Sequence, residues 1–120
     1  MARVSAFLNL GKTSLTELAG ALSSARACLT VDTGTLHIAA AVGCPTVAIL
    51  RNDLDGDGAS PTRLWIPLQP HVKLALIDFK CTVCQEQRFK NKFCLVENHP
   101  CTVSLLPNKV IYYLQEILNL

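Results

Sequence analysis

ACLTVDTGTLHIAAAVGCPTVAIL, residues 27–50, is the stretch on which the fold turns. Ala27 to Val31 is a continuous apolar run with a single Thr, the pattern of a strand buried on both faces. Asp32-Thr33-Gly34 is a polar tight turn. Ile38-Ala39-Ala40-Ala41-Val42 then has strong helical bias, so a helix is expected from about Thr33 or Gly34, with Gly43 as its stop. Thr46 to Leu50 reads as the next buried strand. Strand, helix and strand joined by such short connections indicate an α/β fold with a parallel sheet.

Working outward, Ser14-Leu15-Thr16-Glu17 has the form of a capping box. Leu15, Leu18, Ala19 and Leu22 follow at helical spacing, predicting an amphipathic helix that ends near Arg26. Val4 to Leu8 is a candidate opening strand. From Arg51 to Gln69 the pattern dissolves into a long loop, and Val72 to Ile77 is a further strand. Residues 78–106 have no periodicity and hold four cysteines. Pro107 suits the first turn of a C-terminal helix over 107–120, with Val110, Ile111, Leu114, Ile117 and Leu118 as its apolar stripe.

Composition narrows the function classes. Half of the 120 residues are hydrophobic and 17% are charged, which excludes disorder. The net charge of +2 and aromatic content of 6% give no footprint for nucleic acid. No apolar run reaches the length of a membrane span, and Met1 to Leu10 does not make a signal peptide. A cytoplasmic chain is expected. The mean hydropathy of +0.32 suggests an apolar face reserved for another domain or a second copy, so a homodimer is expected in solution.

The turn at 32–34 is where chemistry is expected. Ligands of open α/β sheets bind beyond the carboxyl ends of the strands, where Asp32 falls. Free N–H groups and the positive dipole end at a helix start suit a phosphate or pyrophosphate. Gly34 lets a phosphate approach the backbone, Thr33 can cap the helix and donate to a phosphate oxygen, and Asp32 can accept from sugar hydroxyls. His37, four residues past Thr33, shares its face. The same residues also fit a plain N-cap followed by an ordinary helix histidine, and both readings stand at this point.

Three further motifs stand outside this junction. Gly11-Lys12-Thr13 matches the end of a phosphate-binding loop, but that pattern needs glycine where Ala6 stands. Asp53-Leu54-Asp55-Gly56-Asp57-Gly58 opens like a calcium loop, yet Leu64 occupies the place of its bidentate Glu. Cys81, Cys84, Cys94 and Cys101 form a set that can hold structural zinc, with His99 as a substitute ligand; the alternative is four free thiols. Lys80, Arg88, Lys90 and Lys92 make the same region locally positive, suited at most to an anionic acceptor or peripheral membrane contact. Cys28 and Cys44 read as small core residues.

Leu10-Gly11-Lys12-Thr13-Ser14-Leu15 with Glu17-Leu18, then Asp32-Thr33-Gly34 with His37 and Ala39-Ala40-Ala41, then Gly43-Cys44-Pro45-Thr46-Val47-Ala48, resemble the ADP-heptose:lipopolysaccharide heptosyltransferases of glycosyltransferase family 9. Pro61, Trp65 and Pro67, Cys81 and Cys84, Pro100-Cys101, and Leu106-Pro107 ahead of Val110 continue the likeness in the same order. Where the family usually has Gly-Pro-Thr after the strand, this chain has Arg51-Asn52-Asp53, which leaves the sugar open.

The resemblance implies a Rossmann-like sheet forming part of the C-terminal, nucleotide-sugar-binding domain of a two-domain GT-B transferase. Asp32, Thr33, Gly34 and His37 would contact an ADP-heptose-like donor destined for a lipopolysaccharide-type acceptor. Transfer of that kind would need no cofactor, because the helix start stabilises the leaving diphosphate. The acceptor and the general base belong to an N-terminal domain with no counterpart here, so no catalytic base is named and the chain alone is expected to be inactive. Its place would be the cytoplasm, at the inner face of the inner membrane. The rival readings are a small zinc-stabilised interaction module and a non-catalytic transferase remnant.

Overall fold

The computed structural model describes residues 11–50, 65–77 and 105–119. Within them the order is α1 (Leu15–Ser24), β1 (Cys28–Val31), α2 (Gly34–Ala41), β2 (Thr46–Leu50), β3 (Val72–Leu76) and α3 (Pro107–Leu118). The strands form one parallel sheet in the order β1-β2-β3. Cys28 pairs with Thr46 and Val31 with Ile49; Thr46 in turn pairs with Val72 and Leu50 with Leu76. This is the α/β, Rossmann-like sheet expected from the sequence.

Parallel register puts paired side chains on the same face, and each face has its own helical cover. Ala48, Leu50 and Val72 pack with Leu36 and Ala40 of α2, joined by Ile66 from the irregular segment before β3. Val47 and Ala75 point the other way, against Val110 of α3, with Ile49, Tyr113, Leu114 and Ile117 around them. A third cluster, Leu22, Cys28, Ala39 and Cys44, joins α1 to the flank of α2. Thr46 is fully buried, and its hydroxyl donates to the Cys44 carbonyl at 2.7 Å, which removes the cost of burying it.

The helix ends follow local chemistry. The Ser14 hydroxyl accepts from the Glu17 amide at 3.1 Å, while the Glu17 carboxylate accepts from the Ser14 amide at 3.2 Å, a complete capping box. Gly43, at φ +78°, follows α2 and allows the chain to turn directly into β2. Pro107 sits in the first turn of α3, and Asn119 closes that helix in the left-handed conformation at φ 58°. From the start of α3 the Lys109 ammonium donates to the Leu76 carbonyl at 2.7 Å, fastening the helix to the end of β3. The Lys73–Glu116 pair, at 3.1 Å, is more than a third exposed and contributes little.

Three expectations are corrected. The run at 27–31 is not covered on both faces. Leu29 and Val31 are 51% and 52% exposed; among the described residues β1 ends the strand order and α3 packs on β2 and β3. Helix α1 ends at Ser24, close to the expected Arg26, but of its stripe only Leu22 is buried, against Cys28 of β1, Ala39 of α2 and Cys44, while Leu15 is exposed. In α3 the face against the sheet runs through Val110, Tyr113, Leu114 and Ile117, while Ile111 is half exposed. The opening strand at Val4 to Leu8 and the Asp53–Gly58 loop lie outside the described residues. So do Cys81, Cys84, Cys94 and Cys101. Among the described residues no helix is long and apolar enough to cross a membrane, and no cluster of metal-ligating side chains occurs.

Cys28 and Cys44 are both buried and unbridged, as small core residues. Burial, with a smaller contribution from Cys44, pushes the Cys28 thiol above its ordinary value of 9.0. The folded chain therefore holds that proton more tightly than the unfolded chain does. The corresponding stability is present below pH 9.0 and is lost as pH rises through the folded value. Native Cys28 should accordingly react with iodoacetamide at least about a hundredfold more slowly than after unfolding in urea. Peptide mapping by mass spectrometry reads this directly, and equal rates in the two states would show the thiol to be accessible.

Candidate functional site

The carboxyl end of β1 passes into α2 through two residues. Asp32 and Thr33 are exposed, Thr33 has extended backbone, and Gly34 is the first residue of the helix. The turn can be so short because Leu36, fully buried between α2 and the sheet, anchors the first helical turn from below. The polar residues are thus left on the outer surface, beyond the strand ends.

Thr33 occupies the N-cap position but makes no side-chain bond to the helix, contrary to the capping role expected of it. Its hydroxyl instead lies 3.5 Å from that of Thr30, at the limit of a hydrogen bond. The backbone takes over part of the cap, since the Leu36 amide donates to the Thr33 carbonyl at 3.1 Å. Gly34 and Thr35 precede the first intrahelical bond, so their N–H groups face outward at the positive end of the helix.

Gly34 is informative because nothing among the described residues requires it. Its φ is not positive, unlike those of Gly11 and Gly43, and a Cβ built there meets no described atom within 4 Å; the same is true of Gly20 on exposed α1, but only Gly34 stands at the start of a helix beyond a strand end. The absent side chain keeps open a surface that already faces solvent, which is the condition for close approach of an anion to the backbone.

His37 stands one turn further along and is exposed. Its ring meets the indole of Trp65 edge-on, with centroids 6.1 Å apart and planes at 61°. Together they wall an open cleft of about 560 Å³, bounded below by Ala40 and Ala41 and on the far side by Pro67, Leu68 and Gln69. The segment opposite α2 is tied down at its lower end, where His71 Nε2 lies 2.9 Å from the Ala40 carbonyl. A carbonyl can only accept, so this nitrogen carries the proton.

Of the residues singled out in the sequence, Asp32, Thr33, Gly34 and His37 therefore fall on one exposed strand-to-helix junction. The Gly11-Lys12-Thr13 turn is exposed before α1, with Gly11 at φ 64°, and it adjoins a different helix start. Trp65 and His71 were not read as site residues. One signal was available: Trp65 is the single tryptophan of the chain and sits among prolines where an ordinary loop would be polar. Its meeting with His37 depends on a return of the chain that no local pattern encodes.

The model of the family described as glycosyltransferase family 9 (heptosyltransferase) matches residues 3–93. That span includes the whole strand-to-helix junction and the Trp65–His71 segment. No curated protein and no solved structure matches the chain.

Proposed function

The chain belongs to glycosyltransferase family 9, and from that premise we propose that its β1–α2 junction binds the nucleotide-diphosphate sugar used in glycosyl transfer. The observation that carries this reading is Gly34. A residue with ordinary backbone angles and open space at its missing Cβ stands beside outward-facing amides at a helix start. That arrangement suits a diphosphate. The amides of Gly34 and Thr35 would donate to phosphate oxygens, with the Thr33 hydroxyl beside them, free of any capping bond. Asp32 would accept from hydroxyls of the sugar, and His37 would face the diphosphate from the next turn.

In transfer, negative charge develops on the departing diphosphate as the bond to the sugar carbon breaks. Fixed backbone donors and the helix dipole stabilise that charge without reorganising. The donor we favour is ADP-heptose-like, and the acceptor a sugar of the lipopolysaccharide type. Both rest on the family likeness and not on any contact in the fold. The proton acceptor for the attacking hydroxyl is not among the residues assigned here, and an acceptor-binding domain would have to supply it.

Titration of the labelled chain with ADP, followed by amide NMR, tests the reading. Shifts should concentrate at residues 33–37. Asp32→Ala should weaken a sugar-linked ADP by roughly tenfold, the scale of one hydrogen bond to a charged group, while leaving bare ADP nearly unchanged. Shifts centred on Gly11, Lys12 and Thr13, or none at all, would show the assignment to be wrong.

A further inference from the structure

We propose that Trp65 is a positioning residue, holding the imidazole of His37 in place beside the diphosphate site; this rests on the donor-site reading above. His37 is an exposed side chain near the start of a short helix. Left alone, its ring would spread over the χ1 wells open to a helix and a broad χ2 range. Contact with the indole, edge-on at 6.1 Å and 61°, is one of the geometries that aromatic rings prefer. It narrows that spread to the sector between α2 and the segment that carries Trp65.

The contact can position His37 only if Trp65 is itself fixed relative to α2, and two fastenings ensure this. Ile66, the next residue, is buried in the cluster that contains Leu36 and Ala40 of the same helix. At the other end, the His71 ring binds the Ala40 carbonyl at 2.9 Å, and the His71 carbonyl accepts from the Thr46 amide at 2.9 Å. Between them Pro67 and Pro70 restrict the backbone. The segment from Trp65 to His71 is thus strapped along α2, and its indole is held against His37, which stands on the same helix whose first turn forms the candidate site.

A double-mutant cycle in ADP binding separates positioning from a merely structural effect. Trp65→Ala should weaken ADP by about three- to tenfold, the scale of one aromatic contact, and Trp65→Phe should restore most of the loss. In a His37→Ala background, Trp65→Ala should have no further effect, because there is no imidazole left to hold. The His37 ring protons should also lose their ring-current shift in Trp65→Ala. Equal losses with and without His37, or wild-type affinity in Trp65→Ala, would overturn the proposal. Absence of ADP binding by the wild-type chain would sink the donor-site reading instead. The ring-proton shift would then still decide whether Trp65 fixes the imidazole.

Discussion

Gly34→Val is expected to remove ADP binding while leaving the fold intact. The Cβ position at Gly34 is open, and its φ is not one that disfavours side chains, so the protein itself accommodates valine. Helix propensity changes only by a few tenths of a kcal/mol in valine's favour. A branched side chain there nevertheless fills the space an anion needs to reach the amides. Each hydrogen bond to a charged phosphate contributes about 1.5–3 kcal/mol, so losing even one weakens affinity by roughly ten- to a hundredfold. Gly34→Ala should fall between valine and wild type. Calorimetry for binding and thermal unfolding for stability check the two halves separately. Unaltered affinity in the valine variant would mean that Asp32-Thr33-Gly34 is a plain N-cap before an ordinary helix.

Leu36→Ala should act in the opposite order, on stability first and on the site as a consequence. Leu36 is fully buried, among Ala40, Ala48, Leu50, Ile66 and Val72. Truncation removes apolar contact and leaves a cavity, which costs about 2–5 kcal/mol at buried leucines. That is a large share of the roughly 5–15 kcal/mol that holds a domain together. Helix α2 has eight residues, too few to persist without tertiary support, so its first turn should loosen along with the core. Leu36→Met, close in volume, should cost less than about 1.5 kcal/mol. Urea unfolding measures both; a loss below about 1 kcal/mol for the alanine variant would show that Leu36 does not anchor the turn.

Assignment to a family carries the function further than the geometry does. A parallel sheet with a helix start beyond a strand end serves many chemistries. What distinguishes this chain is the match of the family model from residue 3 to residue 93, with the open Gly34 inside it. Sugar transfer as a class rests on that match. The identity of the sugar rests on side chains that the junction alone does not contain, and the replacement of Gly-Pro-Thr by Arg51-Asn52-Asp53 makes it a matter for experiment.

Local sequence by itself determined the elements and the junction. Alternation of apolar runs and helical stretches separated β1, α2 and β2. Ser14 and Glu17, Gly43 and Pro107 marked helix ends through bonds and backbone angles formed within a few residues of themselves. Asp32, Thr33, Gly34 and His37 were legible because the strand and helix on either side are local patterns, and their meeting places those residues at the strand's carboxyl end. Tertiary structure decided which apolar faces are covered. Leu29 and Val31 are aliphatic like Val47 and Ile49, their partners across the sheet, yet they remain half exposed: among the described residues β1 lies at the end of the order and α3 settles on β2 and β3. It also decided that Thr33 would not cap its helix and that Trp65 would meet His37. The second depends on a contact between segments whose approach is set by packing of the whole sheet, and such contacts leave no periodic trace in the chain.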